Sequence, residues 1–197
     1  MSQRIGAAAG ILFVVLSFAT LGLAPPPPDL DSTAAEVVEF FAVNTGGIQA
    51  MSLIFALSIA VATVWFGAVR AHVWTGGGSA PWGPVATVGM AVVAVSWLLI
   101  STLVSATALQ LEDLDPGIVL FAGSLTHLAN FSGQLGIALL ALGVSAGARE
   151  RRSLPTWLVV VGAVMAVIAL ASVAGFATDA AWVEATLYAG WPPFVVW

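Results

Sequence analysis

Five apolar runs separated by short polar breaks dominate the chain. They cover residues 5–23, 48–69, 85–111, 118–146 and 154–176. A membrane-spanning helix needs roughly 20 mostly apolar residues, and each run meets that length. The breaks are sharp. Four prolines at 25–28 stop the first run, because proline cannot continue a helix. Arg70 closes the second run. The fourth is long enough to tilt or to begin as an interfacial segment. The fifth opens with Ser153 as the expected N-cap and Pro155 in the first turn. The pattern predicts an all-α polytopic transmembrane bundle in one domain, residues 1–197, with five spans. Over 180–197, where Pro192 and Pro193 interrupt an apolar stretch, two readings are open: an incomplete sixth helix, or a sequence shorter than the natural chain.

The break between the first two runs carries its own order. Thr33 and Glu36 have the spacing of a capping box. Ala34, Val37, Val38 and Phe41 then share one helical face, and Asn44, Thr45, Gly46 and Gly47 read as its end. A short amphipathic helix over about 33–43 is expected, lying on the outer membrane surface or capping the bundle.

Composition agrees. Hydrophobic residues make up 60% of 197, charged residues 8%, and the mean hydropathy is +1.04. Soluble domains carry about 25% charged residues, so water cannot be the main solvent of this surface. All five cations are arginines: Arg4, Arg70, Arg149, Arg151 and Arg152. With the N-terminus in the cytoplasm and the spans alternating, all five fall inside, as the positive-inside rule asks. Nine of the ten acids fall outside, Glu150 being the exception. Trp74, Trp82 and Trp157 then lie at the inner interface, and Trp182 and Trp191 at the outer one, as an aromatic belt. Trp97 falls mid-helix. The first run resembles a signal peptide, with Arg4 before it and Gly22 and Ala24 at cleavage spacing. Pro25 would follow the cut and disfavours it, so a retained helix is expected.

Several functions drop out. Without lysine there is no Schiff base. Without cysteine there is no disulfide, iron–sulfur cluster, cysteine-bound zinc or thiol-linked lipid. No basic patch suits nucleic acid. The three glycines at 76–78 lack the lysine of a phosphate-binding loop. Arginine without lysine, with abundant alanine, valine and glycine, suggests a high-GC bacterial genome.

Candidate chemistry concentrates on the fourth run. His127, Asn130 and Gln134 share one helical face, and polar groups inside a membrane normally face the bundle interior or a wet cavity. One reading is a pocket formed with Ser101 and Ser105 of the third run. The plainer reading, favoured by sequence alone, is interhelical hydrogen bonding with Ser101, Thr102 or Ser105. His72 lies most of the ~30 Å hydrocarbon thickness from His127, so the two cannot share an ion. His127 with Met51 could ligate haem. Glu112, Asp113 and Asp115 form an acidic turn that could hold a hard cation but reads more simply as solvated carboxylates. Gly6 with Gly10, and Gly143 with Gly147, are small-residue pairs suited to close helix approach.

The opening "RIGAAAGILFVVLSFATLGLAPPPPDLDSTAAEVVEFFAVN", the arginine closing the second run and "ARERRSLPTWL" before the fifth resemble a family. It comprises multi-pass membrane proteins of actinobacteria that share a domain of unknown function. The resemblance implies fold and membrane location, and it transfers no catalytic residue. No catalytic signature is present. The first expectation is an accessory or structural subunit of a bacterial inner-membrane complex, meeting the lipid bilayer and other subunits or copies of itself. The alternative is a small-molecule or lipid binding or transport protein, with its pocket at the polar stripe. A second alternative is a redox subunit with haem or metal at His127; otherwise no cofactor is expected.

Overall fold

A computed structural model describes residues 3–28, 31–74, 81–178, 180, 182, 183, 185, 186, 194, 195 and 197. Among these the chain is helical and has no strand. The helices are α1 (Gln3–Thr20), α2 (Ala34–Val73), α3 (Trp82–Leu109), α4 (Pro116–Arg151) and α5 (Thr156–Ser172). Short 3-10 turns cover Leu111–Asp113 and Val173–Phe176. Four helices, α2 to α4 and α5 with its 3-10 extension, are long and apolar enough to cross a membrane, whereas α1 is shorter. The glycines at 76–78, together with Asp29, Asp179, Glu184 and Trp191, lie outside the described residues.

The first correction concerns α2. The expected surface helix and the second span are one helix of 40 residues. Its start is as expected: the Thr33 hydroxyl accepts from the Glu36 amide at 3.3 Å, and the Thr33 amide donates to the Glu36 carboxylate at 2.7 Å. Its expected end is absent. The Asn44 side chain donates to the Phe40 carbonyl at 2.8 Å, and the Thr45 hydroxyl to that of Phe41 at 2.7 Å. Both polar groups are thereby satisfied within a continuing helix. Gly47 has a packing role instead, because a Cβ there would run into the Leu23 carbonyl. At 1.5 Å per residue α2 is ~60 Å long, and the ~30 Å hydrocarbon layer accommodates only part of it.

Gly46 supplies a test of this continuity. It is exposed, and a Cβ there would meet nothing within 4 Å. Gly46→Ala is expected to stabilise the protein by about 0.5–1 kcal/mol, the usual gain inside a helix. A lower melting temperature in detergent would instead indicate a break at this position.

The other helix ends follow from local chemistry. The Asp115 carboxylate accepts from the Gly117 amide at 2.7 Å and caps α4, a role that sequence reading missed while treating it as a loop acid. Arg152 ends α4 in the left-handed region at φ 52°, and the Ser153 amide donates to the Ala148 carbonyl at 3.1 Å. That is a Schellman closure with arginine where glycine is usual. It corrects the expected start of α5. Ser153 is part of the preceding turn, its hydroxyl makes no hydrogen bond, and Pro155 takes the N-cap position.

Helix α4 is the centre of the bundle and packs against α2, α3 and α5. Its contact with α3 is the closest. A Cβ on Gly136 would lie 2.6 Å from the Val93 amide nitrogen, and one on Gly143 would lie 2.6 Å from that of Ala86. Gly89 of α3 faces the α4 backbone at Leu140 in the same way. The small-residue pairs seen in the sequence are used within this chain. Gly6 and Gly10 seat α1 on Ala68 and Trp65, and Gly143 and Gly147 seat α4 on Ala86 and Trp74.

Trp97 is 3% exposed and lies between rings, 5.0 Å from Phe55 and 6.2 Å from Phe194. Phe194 also meets Phe13 of α1, so this part of the 180–197 segment enters the core. Most of the expected sixth helix falls outside the described residues. The outward faces are apolar: Leu53, Leu57, Val95, Val164 and Val167 are all exposed. So large an apolar surface suits lipid. The arginines gather at one end of the bundle. Gly6 meets Ala68 there, the Trp82 indole donates to Glu150 at 2.6 Å, and His72 bonds to the Ser153 carbonyl at 3.3 Å. The described acids other than Glu150 lie at the opposite end, around the starts of α2 and α4 and the end of α3.

Candidate functional site

Polar side chains in an apolar helix usually bond to a carbonyl one turn back. Most hydroxyls here do so: Thr63 to Ile59, Thr87 to Gly83, Thr102 to Leu98 and Thr126 to Ala122. Among the described residues, six buried side-chain atoms have no partner. Three of them belong to Ser52 of α2, Ser101 of α3 and Gln134 of α4, and all three residues line one cavity. The other three belong to Trp74, Ser145 and Ser153, and none of those residues lines it. Buried polar groups left unpaired are rare because each carries an uncompensated desolvation cost.

The cavity has a volume of about 500 Å³. It runs from the acidic end of the bundle to the level of Trp97, near the middle of α3. Phe55 and Trp97 form its floor, and Phe41, Ile48, Ile100 and Val104 form its apolar wall. The polar wall comes from α4. His127, Asn130 and Gln134 follow each other at helical spacing, so the stripe rises ~10 Å along the axis. The four prolines at 25–28 line the mouth, and the Pro28 carbonyl lies 3.1 Å from His127 Nε2. A carbonyl only accepts, so Nε2 carries the proton in this bond.

The sequence-predicted pocket residues are therefore mostly brought together. His127, Asn130, Gln134 and Ser101 line the cavity, and Ser105 does not. The favoured reading of interhelical glue is not what forms. His127 bonds to the proline strap, Thr102 to its own helix, and the oxygens of Ser101 and Gln134 to nothing. Sequence reading missed Ser52 and the strap. A lone serine in an apolar run normally bonds within its helix, so Ser52 gave no signal until three helices were placed around it.

Metal-binding geometry fares less well. Met51 lines the same cavity as His127, but the Nε2 face of the imidazole is occupied by Pro28. His72 sits at the far end of the bundle, against Ser153. Among the described residues no three histidine, aspartate or glutamate side chains cluster as metal ligands, the acidic turn at Glu112, Asp113 and Asp115 included. In comparisons with known proteins, no family model, no curated protein and no solved structure matches the chain.

Proposed function

We propose that this protein is a multi-pass protein of a bacterial cytoplasmic membrane that holds a small lipophilic molecule in the cavity between α2, α3 and α4. One observation carries this reading. Ser52, Ser101 and Gln134 come from three different helices, all three line the same largely apolar space, and each carries a buried oxygen with no hydrogen-bond partner. A cavity of this size lies in the range of small-molecule sites, roughly 300–1,000 Å³, which combine apolar walls with a few placed polar groups. The accessory-subunit reading loses part of its motive, since both glycine pairs are occupied inside the chain. Native mass spectrometry of the detergent-purified protein is expected to show one retained small molecule. Ser101→Phe, which places a bulky ring at the polar part of the lining, is expected to remove it. An identical spectrum for Ser101→Phe and the parent protein would defeat the proposal.

In the proposed topology α1 also spans, the N-terminus is cytoplasmic and the arginine-rich end faces the cytoplasm. The absence of cysteine makes the test clean. A membrane-impermeant maleimide is expected to label Glu112→Cys in intact cells, and Thr156→Cys only after permeabilisation. Both positions are exposed in the fold. The reverse pattern would invert the topology and place the cavity mouth toward the cytoplasm.

A further inference from the structure

We infer that the ligand of this cavity is an uncharged amphiphile whose head is a hydroxyl, seated among Ser52, Ser101 and Gln134 with its hydrocarbon body along the apolar wall. This rests on the cavity being a binding site and goes on to name what it takes. Charge is the first constraint. Among the described residues, no arginine, aspartate or glutamate lines the cavity. His127, the one titratable side chain among the described lining residues, is already engaged with Pro28. A phosphate, carboxylate or ammonium head would be buried without a counter-ion, which low-dielectric surroundings penalise heavily.

Hydrogen-bond polarity is the second constraint. The Ser52 and Ser101 hydroxyls have protons to give and need an acceptor. The Gln134 carboxamide oxygen needs a donor. An ester, ether or ketone supplies acceptors only and leaves the Gln134 oxygen dry. A hydroxyl does both with a single atom. Burial is the third constraint. Gln134 is 3% exposed, and Ser52 and Ser101 are each 7% exposed, so bulk water does not satisfy these groups in place of a ligand. The wall formed by Phe41, Ile48, Met51 and Phe55 offers only apolar contact.

The test uses three probes of one chain length: 1-tetradecanol, its methyl ether and tetradecanoate. Saturable binding of tritiated 1-tetradecanol to the detergent-solubilised protein is measured, with the other two as competitors. The alcohol is expected to bind at least tenfold more tightly than either. Gln134→Leu is expected to bring alcohol and ether to equal affinity, because it removes the acceptor that distinguishes them. The Ser52→Ala/Ser101→Ala double variant is expected to weaken both together. Equal affinity of alcohol and ether in the parent protein, or a preference that survives Gln134→Leu, would overturn the hydroxyl assignment. If that equal binding is nevertheless lost in Ser101→Phe, the cavity reading stands and only the head group is wrong. Absence of saturable binding by all three probes, with a spectrum unaltered by Ser101→Phe, would defeat both.

Discussion

Gly136→Val is expected to destabilise the protein by about 3 kcal/mol, the upper part of the range for overpacking a tight core. Two backbones meet at this position. A Cβ on Gly136 would lie 2.6 Å from the Val93 amide nitrogen and 2.8 Å from the Gly89 carbonyl oxygen. Neither is the end of a flexible side chain, so relief requires separating α3 from α4. That separation would also disturb the neighbouring contacts at Gly89 and Gly143, which depend on the same helix spacing. Association of helices in lipid relies on such close packing, since lipid chains are as apolar as the helix surface and give burial no advantage. Thermal unfolding in detergent measures the loss. Gly123→Val is the comparison: a Cβ there sits 3.6 Å from Val37 Cγ1, an ordinary contact, and the cost should be much smaller. Equal losses at the two positions would show that α3 and α4 are not in backbone contact.

Gln134→Leu is expected to do the opposite to stability while weakening binding of the alcohol. In the unliganded protein the Gln134 oxygen is buried and accepts no hydrogen bond. Such a group costs about 1–3 kcal/mol, and leucine of similar size removes the cost without opening a hole. A rise of about 1 kcal/mol in unfolding free energy, measured without ligand, is the expected result. A bound ligand stabilises the native state by mass action, so the parent protein should gain melting temperature on adding 1-tetradecanol and the variant should gain much less. Stability traded against a binding site is the usual mark of polar groups kept for function. A Gln134→Leu protein less stable than its parent would mean that the carboxamide already has a structural partner, and the site would lose its principal residue.

Much of the architecture could be read along the chain because it depends on quantities a linear sequence contains. Run length against bilayer thickness marked the apolar helices. The Thr33–Glu36 spacing marked the start of α2, since a capping box needs only residues three apart. The stripe of His127, Asn130 and Gln134 was visible because one helix brings them onto one face. What stayed hidden depends on neighbours distant in sequence. Asn44, Gly46 and Gly47 look like a helix end, yet their propensity penalty is at most about 1 kcal/mol each. Side-chain bonds to Phe40 and Phe41, and the Leu23 carbonyl packed on Gly47, offset it. Gly89 and Gly136 acquire meaning only when α3 and α4 lie side by side.

The site divides along the same line. Which residues of α4 face inward was a matter of helical period, and the sequence determined it alone. Whether those residues find partners was decided by the tertiary structure. Ser101, the expected partner of the stripe, keeps its hydroxyl unpaired, and Ser52 arrives from a helix that no pattern connected to it. Hydrogen bonds are short-ranged, so displacements of an ångström or two in helix packing separate a satisfied polar core from an open cavity. Such distances are set by glycines and aromatic rings meeting across helices, and no reading of one helix at a time contains them.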